Sequence, residues 1–92
     1  MIESFADKQL ERLWIGKRTR FPADLEDRIA RKLRILDAAM NINEIRTPPS
    51  NRLEALSGNR RGQFSIRINK QWRLCFSWLN GNAVQVELAD YH

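Results

Sequence analysis

The sequence has one histidine, His92, preceded by Asp90 and Tyr91, and imidazole is the side chain that titrates near neutrality without help from its surroundings. An acid or base for proton transfer could therefore stand at Asp90-Tyr91-His92, although on residue type and position alone such a histidine is more often an incidental exposed residue. Glu54 is the second candidate proton carrier. It lies in the basic segment Asn51-Arg52-Leu53-Glu54-Ala55-Leu56-Ser57-Gly58-Asn59-Arg60, where a surface pairing with Arg52 or Arg60 would explain it without catalysis. The lone Cys75 permits neither an internal disulfide nor a thiolate zinc cluster and reads as a small packed hydrophobe. No metal and no cofactor is expected.

Charge says what such groups would act on. Residues 1–45 hold nine Lys/Arg against eight Asp/Glu, whereas residues 46–92 hold seven against three, so the excess of the +5 net charge falls in the C-terminal half. Twelve of the 16 basic residues are Arg, whose planar fork grips phosphate in a bidentate way and stacks on bases, and this favours a nucleic-acid partner over a merely solvated basic face. Nothing approaches the roughly 20 apolar residues of a membrane span, and Met1-Ile2-Glu3-Ser4 lacks the features of a signal peptide. A cytoplasmic protein with no membrane contact is expected, folded as one domain over residues 1–92.

The elements that must position these groups follow from periodicity. Ile2 to Phe5 alternates like a first strand, and Asp7 suits the N-cap of a brief helix carrying Leu10, Leu13 and Trp14 and ended by Gly16. Pro22 stands near the start of a second helix, whose stripe Leu25, Ile29, Leu33, Leu36 and Met40 recurs every three or four residues. On its outer side Asp24/Arg28 and Asp27/Arg31 are spaced to pair. Asn41 to Arg46 suits a short turn, and Thr47-Pro48-Pro49-Ser50-Asn51 breaks the chain. Beyond it the period becomes two, through Phe64, Ile66 and Ile68, then Trp72, Leu74, Phe76 and Trp78, then Val84, Val86 and Leu88, which predicts an antiparallel meander.

Parity predicts the register. A three-residue turn Asn69-Lys70-Gln71 sets Ile66 against Leu74 and Phe64 against Phe76, and a three-residue loop Leu79-Asn80-Gly81 sets Phe76 against Val84. Both helices then cover the apolar face and leave Ser65, Arg67, Arg73, Cys75, Ser77, Gln85 and Glu87 on an open one. There Arg67 lies directly across from Arg73. Like charges so placed repel, so the pair points to an anion such as phosphate, unless Glu87 on the other side of Arg73 neutralises it.

Taken together, Arg52-Leu53-Glu54-Ala55-Leu56-Ser57-Gly58-Asn59-Arg60, Phe64-Ser65-Ile66-Arg67-Ile68-Asn69, Gln71-Trp72-Arg73-Leu74-Cys75-Phe76 and Asp90-Tyr91-His92 resemble the HigB toxins of bacterial type II toxin–antitoxin pairs, within the RelE/ParE superfamily. With Ile2 and Phe5 near the start, the resemblance spans nearly the whole sequence. It implies an α+β, RelE-like fold, with two N-terminal helices packed on one face of a mostly antiparallel four- to five-stranded sheet. It implies a ribosome-dependent endoribonuclease that cuts messenger RNA in the decoding site and inhibits translation without a metal. The implied partners are the ribosome, messenger RNA and a HigA-type helix-turn-helix antitoxin, with operator DNA reached only through that antitoxin.

In the implied chemistry the ribose 2′-hydroxyl attacks the adjacent phosphate, which needs a base, an acid and a cationic clamp. His92 and Asp90 are carried over as proton-transfer residues, Tyr91 as the residue that positions or stacks the substrate, and Arg73, with Arg67, as the clamp. Arg52 and Arg60 of the resembling segment join them as RNA- or phosphate-binding residues. One departure concerns Glu54 and Ser57, where some family members carry a histidine and a lysine. If Glu54 is the base, His92 is the better acid; otherwise both tasks fall to His92 and Asp90. Two other functions fit the same fold: a non-catalytic gyrase binder like the ParE toxins, and a decayed toxin kept as antitoxin partner or corepressor.

Overall fold

The computed structural model describes residues 1–90, so the predicted roles of Tyr91 and His92 lie outside the described residues. Asp7 caps helix α1 (Lys8–Trp14) by accepting from the backbone N–H groups of Gln9 and Leu10. The helix ends as expected at Gly16, whose left-handed φ of 81° lets Lys17 N–H reach Arg12 C=O and its own N–H reach Leu13 C=O. Helix α2 (Ala23–Ala38) starts after Pro22 and has Asp24 and Glu26 in its first turn, where the helix dipole favours them. Ile29, Leu33 and Leu36 form its buried stripe, but Met40 lies beyond the helix end and is 81% exposed. The predicted turn after it is a 3₁₀ helix over Ile42–Arg46, capped reciprocally by Asn41 and Glu44.

Four strands, β1 (Glu54–Ala55), β2 (Gln63–Arg67), β3 (Trp72–Leu79) and β4 (Asn82–Asp90), form an antiparallel sheet in sequence order. The first hairpin has the predicted register, with Phe64↔Phe76, Ile66↔Leu74 and Arg67↔Arg73. Residues 2–5 run beside β4 without forming a full strand, paired with it by two parallel bridges, Ile2↔Ala83 and Phe5↔Val86. The helices pack on the face that carries Ile66, Leu74, Phe76 and Val86, all fully buried. Each such side chain contributes about 1.5–3 kcal/mol.

Three expectations are corrected. The β3–β4 connection is the two-residue turn Asn80-Gly81, both residues with positive φ (52° and 80°), and Leu79 pairs with Asn82. That turn would put β4 out of phase with its apolar alternation, and a bulge at Gln85 (φ 55°) restores the phase, giving Ser77↔Val84 but Cys75↔Glu87. Ser4 Oγ accepts from the Gln85 N–H at 2.9 Å, so the chain start holds the bulge. As a result Arg73 pairs with Ala89 rather than Glu87, and Glu87 is not its neutralising partner. Nor is the polar face open: Ser65 is 0%, Arg73 5% and Cys75 2% exposed.

Candidate functional site

The cover over this face comes from the segment after the proline break. Asn51, fully buried, closes the break: its Nδ2 donates to the carbonyls of Ile45 (3.0 Å) and Thr47 (3.3 Å), and its Oδ1 accepts from Lys32 Nζ on α2. Arg52 then adopts a left-handed conformation (φ 47°, ψ 55°), one that costs a side-chain-bearing residue roughly 1–2 kcal/mol. Its carbonyl is thereby placed to accept from Arg73 Nη2 at 2.6 Å. Arg73 Nε donates to Ser65 Oγ at 2.8 Å, and Glu54 Oε1 stands 4.0 Å from Nη2. A buried guanidinium needs such partners, because burying a charge is costly unless it is hydrogen-bonded and paired. The strained Arg52 backbone is thus part of what holds Arg73.

Arg52, Glu54, Arg67, Asn69, Lys70 and Arg73 line one open cavity of about 190 Å³. Four of the predicted site residues meet there: Arg52, Glu54, Arg67 and Arg73. Arg52, Glu54 and Lys70 are exposed, while Arg67 is half-buried and donates through Nε to Asn69 C=O at 3.1 Å. The predicted repulsion between Arg67 and Arg73 is therefore eased by two backbone carbonyls and Ser65. A single carboxylate among four cations suits a phosphodiester: the cations take the charge and the carboxylate takes a proton.

Two predicted residues stand elsewhere. Arg60 donates to Glu87 and, at 3.0 Å, to Gln63 Oε1, and the hydrogen bond to Glu87 holds its guanidinium pKa above the ordinary arginine value. Asp90 pairs with Trp72, so alternation gives it the sheet face opposite to Arg73, and it accepts from Gln71 Nε2 at 3.2 Å. Cys75 is buried as expected, and desolvation pushes its thiol up against the opposing pull of Arg60 and Arg73.

The residues not foreseen are Asn69 and Lys70, expected only as a turn, together with Ser65, Asn51 and Lys32 as supports. Asn69 and Lys70 could have been inferred, since they come two and three residues after Arg67 in a tight hairpin. The Lys32–Asn51 link joins two elements whose meeting has no sequence signal.

Residues 3–92 match a protein family described as the RelE-like toxin of the type II toxin–antitoxin system HigB. The chain is 47% identical over 90 residues to Toxin HigB-1 of Vibrio cholerae, across 96% of this chain and 95% of that one. It is 37% identical over 93 residues to Endoribonuclease HigB of Proteus vulgaris, across the full length of both. Among solved structures it resembles a chain of the YoeB–YefM complex from Staphylococcus aureus, with a TM-score of 0.64, 19% identity, and coverage of 100% of this chain and 98% of that one. At that identity the likeness speaks for the fold alone.

Proposed function

The chain belongs to the HigB family of RelE-like type II toxins, and from that membership we propose that it is an endoribonuclease that cuts messenger RNA on the ribosome. The observation that carries this reading is the buried Arg73, gripped by Ser65 and Arg52, beside Glu54 in a cavity otherwise lined by Arg52, Arg67, Asn69 and Lys70. The full-length relative in Proteus vulgaris bears the name of an endoribonuclease, which supports the same chemistry. A type II pair implies a protein antitoxin for this chain, of helix-turn-helix type, with action in the cytoplasm, where the ribosomes are.

In the proposed reaction Glu54 takes the proton from a ribose 2′-hydroxyl, whose oxygen attacks the adjacent phosphorus. The bond to the 5′-oxygen breaks, His92 donates a proton to that leaving oxygen, and a 2′,3′-cyclic phosphate remains. Arg67, Arg52 and Lys70 reach the phosphate oxygens from the cavity wall. Arg73 contributes a fixed charge already desolvated before substrate arrives, which acts more strongly on the developing dianion than a charge in water would. Tyr91 stacks on a base.

The test is controlled induction in cells, with mapping of new RNA ends, for wild type, Arg73→Ala, Glu54→Gln, Asp90→Asn and His92→Gln. The wild type should arrest growth and create new messenger ends, and the Arg73, Glu54 and His92 variants should create about a hundredfold fewer. Growth arrest without new ends would sink the reading.

A further inference from the structure

A second cavity of about 520 Å³ runs between α2 and the β2–β3 turn, and Arg28, Arg31, Lys32 and Arg67 all line it. We propose that this groove is a track for the phosphodiester backbone of the single-stranded RNA that enters the site. The inference rests on the endoribonuclease reading and extends it from the reacting phosphate to its neighbours along the strand.

Three observations carry it. First, the two cavities adjoin: Arg67 and Asn69 line both. The two-residue β1 pairs only with Phe64 and Ser65, so among the described residues no strand lies beside the edge of β2 past Ser65, where Arg67 stands between the two cavities. Second, Arg28, Arg31 and Lys32, at spacings of three and four, share one side of α2. Asp24 and Asp27 are spaced to neutralise the two arginines, yet among the described residues neither Arg28 nor Arg31 comes within 4.0 Å of a carboxylate. Third, these cations crowd one another: burial, then Arg28, then Arg31 push the Lys32 ammonium below its ordinary pKa. Cations kept together without a carboxylate suit a polyanion, and a groove that adjoins the proposed phosphodiester site favours RNA over an acidic protein segment.

The test compares two uncleavable 2′-O-methyl RNA probes, of about twelve and about three nucleotides, by fluorescence anisotropy across a salt series. The longer probe should bind wild type at least about tenfold more tightly than the shorter one. Arg28→Ala/Arg31→Ala should weaken the longer probe about tenfold at ~0.1 M salt and flatten its log–log salt slope by about 1.4, two phosphate contacts at 0.7 each, with the short probe unaffected. Arg28→Lys/Arg31→Lys should keep most of the affinity, which separates charge from fold.

Equal binding of the longer probe by wild type and the alanine pair would overturn the proposal. So would a loss confined to antitoxin binding, which would make the groove a protein surface. Messenger cleavage with an unaltered salt slope would remove the track and leave the endoribonuclease reading intact. The predicted slope change without any cleavage would do the reverse.

Discussion

The two faces of this one sheet are built on different principles. The pleat sends Ile66, Leu74 and Phe76 to one side and Ser65, Arg67, Arg73 and Cys75 to the other. The first side is closed by Ile29, Leu33 and Leu36, through contacts that are non-directional and roughly proportional to area. The second is closed by a short polar segment whose hydrogen bonds aim at particular atoms, Arg52 C=O on Arg73 and Arg60 on Glu87, while Ser65 Oγ of β2 holds Arg73 from within the sheet. Stability should therefore reside on the first face and chemical competence on the second. Substitutions can break that division.

The largest expected effect is that of Phe76→Ala, since this is the bulkiest fully buried side chain and meets Phe64 and Trp78 at ring distances of 6.3 and 6.4 Å. It should cost about 3–5 kcal/mol in urea unfolding, a large share of the 5–15 kcal/mol typical of a domain. A loss no greater than that of a polar-face variant would erase the distinction between the faces. Ser65→Ala is that variant. It removes the hydroxyl that Arg73 Nε uses, so a loss of about 1–3 kcal/mol is expected. Messenger cleavage per folded molecule should fall about ten- to hundredfold, because the guanidinium is no longer held in place. If Ser65→Ala cleaves normally, the grip on Arg73 is structural only.

Cys75 tests whether the polar face is closed at all, with no change in stability. Burial raises its thiol pKa, so the reactive thiolate is scarce even at a pH of about 8 and fewer molecules carry it than an exposed cysteine would. A disulfide reagent should modify the native chain slowly and the urea-unfolded chain at once. Prompt native labelling would mean that the 52–60 segment opens readily.

What was legible in the sequence divides along the same line. Phe64, Ile66, Leu74 and Phe76 declare their register through period two, and Asp7, Gly16 and Pro22 mark helix ends, because these signals are local. Arg67 opposite Arg73 followed from the same parity, and Arg52 and Glu54 joined them in the cavity. The burial of Arg73 was not legible: it depends on Arg52 turning left-handed, which residue type does not announce, and on Asn51 meeting Lys32 and Arg52 C=O meeting Arg73, contacts between segments far apart in sequence. Arg60 and Asp90 took their expected roles from the family resemblance, whereas their placement depends on Glu87 and on strand alternation.

The bulge was missed because its left-handed residue is Gln85 rather than glycine or asparagine, and it sets the smallest expected effect. Without the bulge, the Asn80-Gly81 turn would send Val86 and Leu88 to the polar face; with it, they face the helices and Glu87 reaches Arg60. A left-handed non-glycine residue is strained by roughly 1–2 kcal/mol, while glycine adds about 0.5–1 kcal/mol of unfolded-state freedom. Because Gln85 is exposed, Gln85→Gly should stabilise by less than about 1 kcal/mol in urea unfolding, with cleavage unchanged. Gln85→Val, β-branched where φ is positive, should destabilise instead. If Gln85→Gly destabilises the chain, the bulge is held by side-chain contacts rather than by its backbone and Ser4, and the polar face would share in stability after all.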